Sequence, residues 1–292
     1  MMRRTALCVG VDRYRHFPTA NLDGCVRDAH DMAALLHEVL GFQRADIHLL
    51  TNEEATKARI LHELERLVEA AVAGQADHLV FTFSGRGTQL PDLDLGEFDR
   101  ADDAFCPTDL AATGAHWNRD TLLVDDELHD LFVRLPRHVV LEVFLDTCHS
   151  GAGIQAADLL MDRRPKHLPP PSVEAFRDIE FRHARPAHVK LMEKGLSHHI
   201  LWTACKDRQV AVEAFLGGEW RGAFTWHFCQ EARAAGARLS RAKLLGNLRL
   251  DLDARRFTQV PQLDGEVATR QAPLVLTALP PELEPLPLEM PT

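Results

Sequence analysis

The chain has 292 residues, with 33 Lys and Arg against 43 Asp and Glu, a formal net charge of −10 with histidine neutral. That acidity argues against a dedicated nucleic-acid binder. Hydrophobic residues at 46% and charged residues at 26% match an ordinary globular chain, so a sizeable core is expected and wholesale disorder is not.

One large α/β domain or two smaller domains fit this length. No stretch approaches the roughly 18 to 20 apolar residues of a membrane span. The opening Met1, Met2, Arg3 and Arg4 lead only into a short apolar run, so a soluble, cytoplasmic chain with no membrane partner is expected. Cys8, Cys25, Cys106, Cys148, Cys205 and Cys229 are dispersed and form no CxxC pair. Reduced thiols follow, one of them a candidate for reactivity.

Thr5 to Val11 is a short apolar run ended by Asp12, as in a strand buried on both faces. Val26, Ala29, Met32, Ala33, Leu36, Val39 and Leu40 share one helical face, and Gly41 ends that helix. Ile47 to Leu50 reads as a second strand, 56–73 as a second amphipathic helix, and His78 to Phe83 as a third strand. Such alternation predicts a parallel sheet. From Gln89 to Val124 the Pro, Gly and Asp content predicts a long acidic loop with little regular structure.

Leu128 to Leu131 predicts a short helix, and Val139 to Asp146 another central strand. Between Ala152 and Ser197 periodicity fades while prolines mingle with Arg163, Arg164, Lys166, Arg177, Arg182, Arg185, Lys190 and Lys194, which predicts a mobile basic insertion. His199 to Cys205 predicts a strand, 223–235 and 241–255 helices, and the five prolines after Ala278 a disordered end or a strap.

Ligands of doubly wound sheets bind where the carboxyl ends of neighbouring strands open into loops. Two Gly-flanked segments occupy such ends: Phe83-Ser84-Gly85-Arg86-Gly87-Thr88-Gln89 and Phe144-Leu145-Asp146-Thr147-Cys148-His149-Ser150-Gly151. Gly85 and Gly87 permit tight turns and close approach of a substrate chain. A cysteine just past a strand, beside a glycine able to donate its backbone N–H, is placed as a nucleophile with an oxyanion hole. A buried structural cysteine is the alternative.

These segments resemble the caspase-like cysteine peptidases of family C14, above all the metacaspases and their bacterial relatives. Further matches are Leu22 to Ala29, Phe105 to Asp109, Val124 to Leu128, Thr203 to Glu213, Gly222 to Trp226 and Gln259 to Leu263. Any one alone is weak, and the ordered series is not. The resemblance implies a caspase-like three-layer α/β/α sandwich around a mostly parallel six-stranded sheet. It divides one domain, 1–292, into a large-subunit-like region (1–151), a basic, Pro-rich flexible insertion (152–198), a small-subunit-like region (199–277) and a Pro-rich tail (278–292).

The same resemblance makes Cys148 the nucleophile of an endopeptidase. It puts Asp28, Asp146, Ser84 and Cys25 around the residue before the scissile bond. Two buried carboxylates there favour Arg or Lys in a polypeptide substrate. Arg86 stands where the family has its catalytic histidine. A guanidinium does not titrate near neutral pH and can neither take the thiol proton nor return one to the leaving amine, though a cation can favour thiolate. Loss of a dyad member predicts impairment on the order of 10³-fold or more. His149 adjoins Cys148 but should face away, and His78 lies at the far end of its strand, structural or solvent-facing.

No cofactor is required by this chemistry. The resemblance implies possible calcium binding at Asp102, Asp125 and Asp126, with Asp103 adjacent, although Gln155 replaces one expected aspartate. The many Arg and Lys bonds of 152–198, of the type such a peptidase cuts, suggest cleavage there, in cis or by an upstream protease, as a maturation step, with a basic docking arm for an acidic partner as the alternative. The competing readings are a pseudoprotease that binds basic peptides, and a flavodoxin-like small-ligand binder that leaves the cysteine motif unexplained.

Overall fold

Alternate side chains of Arg4–Gly10 (β1) feed two different cores, Leu7 and Val9 on one face and Ala6 and Cys8 on the other, all with no exposure. His78–Ser84 (β3) and Val140–Asp146 (β9) do the same: Leu79, Phe81, Phe83, Leu141, Val143 and Leu145 join the first core, and Val80, Val140 and Phe144 the second. A strand that is apolar at successive positions can satisfy both faces only at the centre of a sheet covered on both sides. A computed structural model describes residues 2–91, 100–149, 158, 160–180, 183–184, 199–207, 209–236 and 238–275.

With Ile47–Thr51 (β2), Ile200–Thr203 (β12) and Gln262–Asp264 (β15), these strands form a six-stranded sheet in the order β15-β12-β9-β3-β1-β2. Every neighbouring pair is parallel except β12 with β15. Helices Lys57–Val72 (α2) and Asp125–Phe132 (α3) cover the first face through Ile60, Leu64, Leu67, Val68, Leu128 and Phe132. Cys25–Glu38 (α1), Ala223–Ala234 (α5) and Arg241–Ala254 (α6) cover the second. Thr56 and Ser240 cap α2 and α6 by accepting from Arg59 N and Lys243 N, both at 3.3 Å. This is the expected caspase-like α/β sandwich. No helix among the described residues is long and apolar enough to cross a membrane.

Two segments are more ordered than their composition predicts. The stretch after Gln89 is not mainly loop: Gly87–Pro91 (β4) pairs antiparallel with Arg100–Phe105 (β5), which also pairs with Leu123–Val124 (β8) and His183–Ala184 (β11). Ala112–Thr113 (β6) and His116–Trp117 (β7) add a small hairpin. Asp103 accepts from Gln89 Nε2 at 3.1 Å across the strand pair and Asp102 is neutralised by Arg119, whose Nη2 lies 2.6 Å away, while Leu90, Ala104 and Phe105 face the core. Sequence composition shows the charges but not their partners.

The basic insertion likewise carries regular structure where it is described. Arg164–Pro165 (β10) pairs antiparallel with Val212–Leu216 (β13), itself paired with Glu219–Gly222 (β14), and Val173–Glu180 is helical (α4). Arg163 and Lys166 are buried because each meets carboxylates: Arg163 Nη1 lies 2.8 Å from Asp158 and also bonds the Arg256 carbonyl. Residues 150–157, 159, 181–182, 185–198 and 276–292, which include Gln155 and the tail, lie outside the described residues. A last short helix, Val267–Gln271 (α7), follows β15.

Candidate active site

The register of the central sheet places Gly10 beside Ser84 and Ser84 beside Asp146, so three strands open at one edge. Asp28, in the first turn of α1, leans over that edge. The start of α1 is pinned from outside the helix. Asp12 accepts from Cys25 N (2.7 Å) and Val26 N (3.2 Å), and Glu213 accepts from Gly24 N (2.9 Å) and Asp23 N (3.0 Å). Carboxylates are stabilised by the orphan N–H groups and positive end of a helix N-terminus. The Asp12, Cys25 and Glu213 cluster is therefore a capping arrangement.

The two carboxylates predicted to form a basic-residue pocket surround an ammonium from the same chain. Lys166 Nζ lies 3.0 Å from Asp28 Oδ2 and 3.1 Å from Asp146 Oδ1, and donates to Ser84 Oγ at 2.9 Å. All four residues are buried, Lys166 completely. Ser84 Oγ donates to Asp28 Oδ2 at 2.7 Å; Gly222 N donates to Asp28 at 2.9 Å, and Thr225 N and Oγ1 donate to Asp146 Oδ2 at 3.1 and 2.7 Å. Burial, with Asp146 adding, pushes the Asp28 carboxyl up to about 6 against the pull of Lys166. Burial opposes the charge on Lys166, but Asp146 and Asp28 outweigh it and hold the ammonium well above its ordinary value. Gly222 is required because a Cβ there would collide with Asp28, Asp146 and Lys166 Nζ together.

The backbone of Lys166 is held as firmly as its side chain. Lys166 N donates to Ala211 O at 2.7 Å, and Arg164 and Pro165 continue the pairing against Glu213 and Val212. The Lys166 carbonyl accepts from Gly87 N at 2.9 Å, and Leu168 N donates to Gly87 O at 2.8 Å. Gly87 itself is packed on the cysteine loop: a Cβ there would fall 2.6 Å from Cys148 O and 2.8 Å from Thr147 Oγ1. Cys148 is buried, and its Sγ donates to Gln209 O at 2.9 Å. Gly85 has a separate task, its N donating to Asp146 O at 3.4 Å. Cys25 is a buried thiol within electrostatic reach of Lys166 and is pushed well up by burial.

Arg86 is not turned into an electrostatic partner of the thiol by any of its bonded contacts. Its Nε donates to Ala20 O at 2.6 Å and its Nη1 to Pro165 O and His167 O at 2.8 and 2.9 Å, while its backbone N bonds Tyr14 Oη at 2.7 Å. It acts as a strut that ties the strand end to the chain on both sides of Lys166. Two imidazoles border the cysteine loop. His149 Nδ1 is 3.5 Å from Asp103 Oδ2 and its ring meets Phe105 edge-on; burial lowers its pKa despite Asp103. The backbone of Cys148 and His149 favours the charged form of His167, but burial, with His149 and Arg86 adding, pushes it down to about 4. His78 sits at the opposite end of the sheet, buried against Glu142 and Phe42, which fits the structural and not the solvent-facing alternative.

One oxygen each of Asp102, Asp125 and Asp126 lies within 4.8 Å of the others. Hard oxygen donors suit calcium. Arg119 already bonds Asp102 at 2.6 Å and lies 3.9 Å from Asp126, so these carboxylates fit calcium only if it displaces a guanidinium.

Lys166, Gln209, Gly222 and Thr225 belong to the site although the sequence does not single them out. The last three fall within the segments that carry the family resemblance, whereas Lys166 is one of many basic residues of the insertion. A buried acid pair with a matching base elsewhere in the chain was the available signal, and only the fold shows which base answers it.

A doubly covered sheet with this cysteine loop and acid pair defines a caspase-like cysteine peptidase. A sequence profile described as "Metacaspase, peptidase C14 domain" matches residues 4–157. Metacaspase-1B of Aspergillus fumigatus is 31% identical over 294 residues, covering 89% of this chain and 69% of that protein. Metacaspase-1A of Aspergillus niger is 28% identical, covering 89% and 70%. The fold is similar to a Geobacter sulfurreducens protein solved as a structural-genomics target, with TM-score 0.64, 23% identity and coverage of 93% and 97%. It is also similar to Caspase-1 from Spodoptera frugiperda, with TM-score 0.57, 14% identity and coverage of 90% and 88%. The chain belongs to the metacaspase family of C14 cysteine endopeptidases.

Proposed function

We propose that this chain is an endopeptidase that cleaves after Lys or Arg through Cys148, and that its own Lys166–His167 bond lies in the substrate site. The observation that carries this reading is Lys166 itself. Its ammonium fills the Asp28, Asp146 and Ser84 pocket, its carbonyl sits on the Gly87 N–H, and the residues before it add a strand to Val212–Glu213. A peptide presented by strand addition, with one side chain in a charged pocket and its carbonyl on a fixed donor, is in the pose acyl transfer needs.

In this pose Cys148 attacks the Lys166 carbonyl carbon, Gly87 N–H stabilises the developing oxyanion, and the thioester formed is hydrolysed by water. Arg86 cannot supply the proton transfers, so turnover on substrates in trans is impaired. Cleavage in the 152–198 segment, at Lys166 or by an upstream protease, would vacate the pocket. Calcium enters the reading as an ion that competes with Arg119 for Asp102, Asp125 and Asp126. A cytoplasmic location and absence of nucleic-acid and membrane partners belong to the same reading.

The second reading, a pseudoprotease that holds basic peptides, is favoured by the use of Arg86 as a strut. Hydrolysis of Lys and Arg reporter peptides, with and without calcium, by the parent chain and by Arg86→His separates the two. Cleavage by Arg86→His supports the peptidase. Silence from both, together with Cys148-independent binding of Arg-ended peptides to Lys166→Ala, supports the binding module.

A further inference from the structure

We propose that His167 supplies, from the substrate side of the scissile bond, the imidazole that the enzyme side lacks, so that the chain cuts its own Lys166–His167 bond by substrate-assisted catalysis. The inference rests on the substrate-like reading of Lys166. Arg86 occupies the position of the family's histidine and its guanidinium is committed to the carbonyls of Ala20, Pro165 and His167. The residue immediately after the bound lysine is itself a histidine, and its backbone bridges Gly87, which packs on the Cys148 carbonyl.

Four further features favour His167 for this role. Its Nδ1 is buried with no hydrogen-bond partner. Nδ1 is also the ring nitrogen bonded to Cγ, the ring carbon that carries Cβ, and hence the one that can approach the residue's own main-chain nitrogen, which is the leaving group here. The bond is held on both sides, by Gly87 N to Lys166 O at 2.9 Å and by Leu168 N to Gly87 O at 2.8 Å. The burial that pushes the ring down to about 4 keeps it neutral at physiological pH, the form that accepts a proton.

The step balances without any added reactant. As Cys148 Sγ attacks the Lys166 carbonyl carbon, its proton passes to the neutral His167 imidazole. The Lys166–His167 carbon–nitrogen bond breaks with its electron pair going to the nitrogen, and the imidazole returns the proton to that nitrogen. The thioester joining Lys166 to Cys148 is then hydrolysed, water giving hydroxyl to the carbonyl carbon and a proton to sulfur. In trans, the same logic selects bonds in which a basic residue is followed by histidine.

The test follows the intact mass of the full-length chain with time at neutral pH, for the parent, Cys148→Ala, His149→Gln, His167→Gln, His167→Gly with added imidazole, and the double variant Arg86→His, His167→Gln. The expected result is Cys148-dependent splitting after Lys166 in the parent, slowed by about 10²-fold or more in His167→Gln. Imidazole should restore cleavage in His167→Gly, and Arg86→His should restore it in the double variant. Equal rates in the parent and His167→Gln, or loss in His149→Gln but not in His167→Gln, would overturn the role of His167 and leave the pocket reading intact. An uncut parent beside a cleaving double variant would do the same. If no variant, the double included, cuts after Lys166, the substrate-like reading falls with it.

Discussion

Arg86 and Lys166 are coupled through the main chain: the Arg86 Nη1 bonds the carbonyls of Pro165 and His167, which flank Lys166, while Lys166 Nζ bridges Asp28 and Asp146. Arg86 thus holds in place the backbone that keeps the pocket filled. Filling also solves an electrostatic problem, because two carboxylates buried side by side without a cation are strongly unfavourable.

Removing the ammonium should therefore trade stability for access. For Lys166→Ala we expect a loss of about 3–5 kcal/mol, reduced to the extent that water enters the vacated pocket. A thiol-directed peptide probe ending in Arg should label Cys148 faster in this variant than in the parent. Thermal unfolding and probe-labelling rates read the two effects. Unchanged labelling would show that Lys166 does not gate the site.

The pocket's floor can be closed from a different element. Gly222→Ala places a methyl group against Asp28, Asp146 and Lys166 at once, with the Gly222 N–H bonded to Asp28 and unable to yield freely. In a Lys166→Ala background, Gly222→Ala should abolish selectivity for Arg-ended probes over neutral ones while Cys148 still reacts with a small alkylating agent. Retained Arg preference would remove Gly222 from the recognition surface.

Periodicity was enough to locate β1, β3, β9 and the covering helices because those segments bury one or both faces by rule, and both chemical loops fall at their ends. Ser84, Asp146 and Cys148 could be placed at converging strand ends for the same reason, whereas Asp28, in the first turn of α1, was grouped with them only by the family resemblance. Lys166 and Arg163 were not, since a charged residue in a proline-rich stretch reads as solvated until its carboxylate is placed beside it. The strands after Gln89 were hidden likewise, because Asp102 and Asp103 find partners within the fold, Arg119, Gln89 and His149 among them.

A buried ion pair far from the pocket makes the fold's acid sensitivity predictable. Arg241 Nε and Nη2 meet Glu142 Oε1 and Oε2 at 2.8 and 2.7 Å, and Trp202 Nε1 adds a third bond at 2.8 Å. Burial raises the Glu142 carboxyl, but Arg241 more than compensates and brings it from 4.5 down to about 2. A lowered carboxylate contributes stability that is complete above its unfolded value and is lost as pH falls from about 4.5 towards 2. That contribution is on the order of 3 kcal/mol. Arg241→Leu should cost about 3–5 kcal/mol at neutral pH. It should also lose less stability than the parent on acidification, since the stranded carboxyl gains from protonation. Denaturant unfolding at pH 7 and pH 3 checks both, and a parallel acid response in the two proteins would sink the assignment.

Arg119 provides the sharpest handle on calcium. It spans Asp102, fully buried, and the half-exposed Asp126, and so already neutralises the acidic cluster from within. A cation that binds only the folded state raises stability by mass action, and its effect is largest where no internal cation competes. In Arg119→Gln the three carboxylates lose that competitor, so added calcium should raise the unfolding temperature more in this variant than in the parent. Without calcium the variant should be the less stable of the two, because Asp102 stays buried. Adding Asp125→Asn to Arg119→Gln should remove the calcium response, which ties it to this cluster. If the parent and Arg119→Gln respond to calcium equally, the ion acts elsewhere and Arg119 is an ordinary structural partner of Asp102.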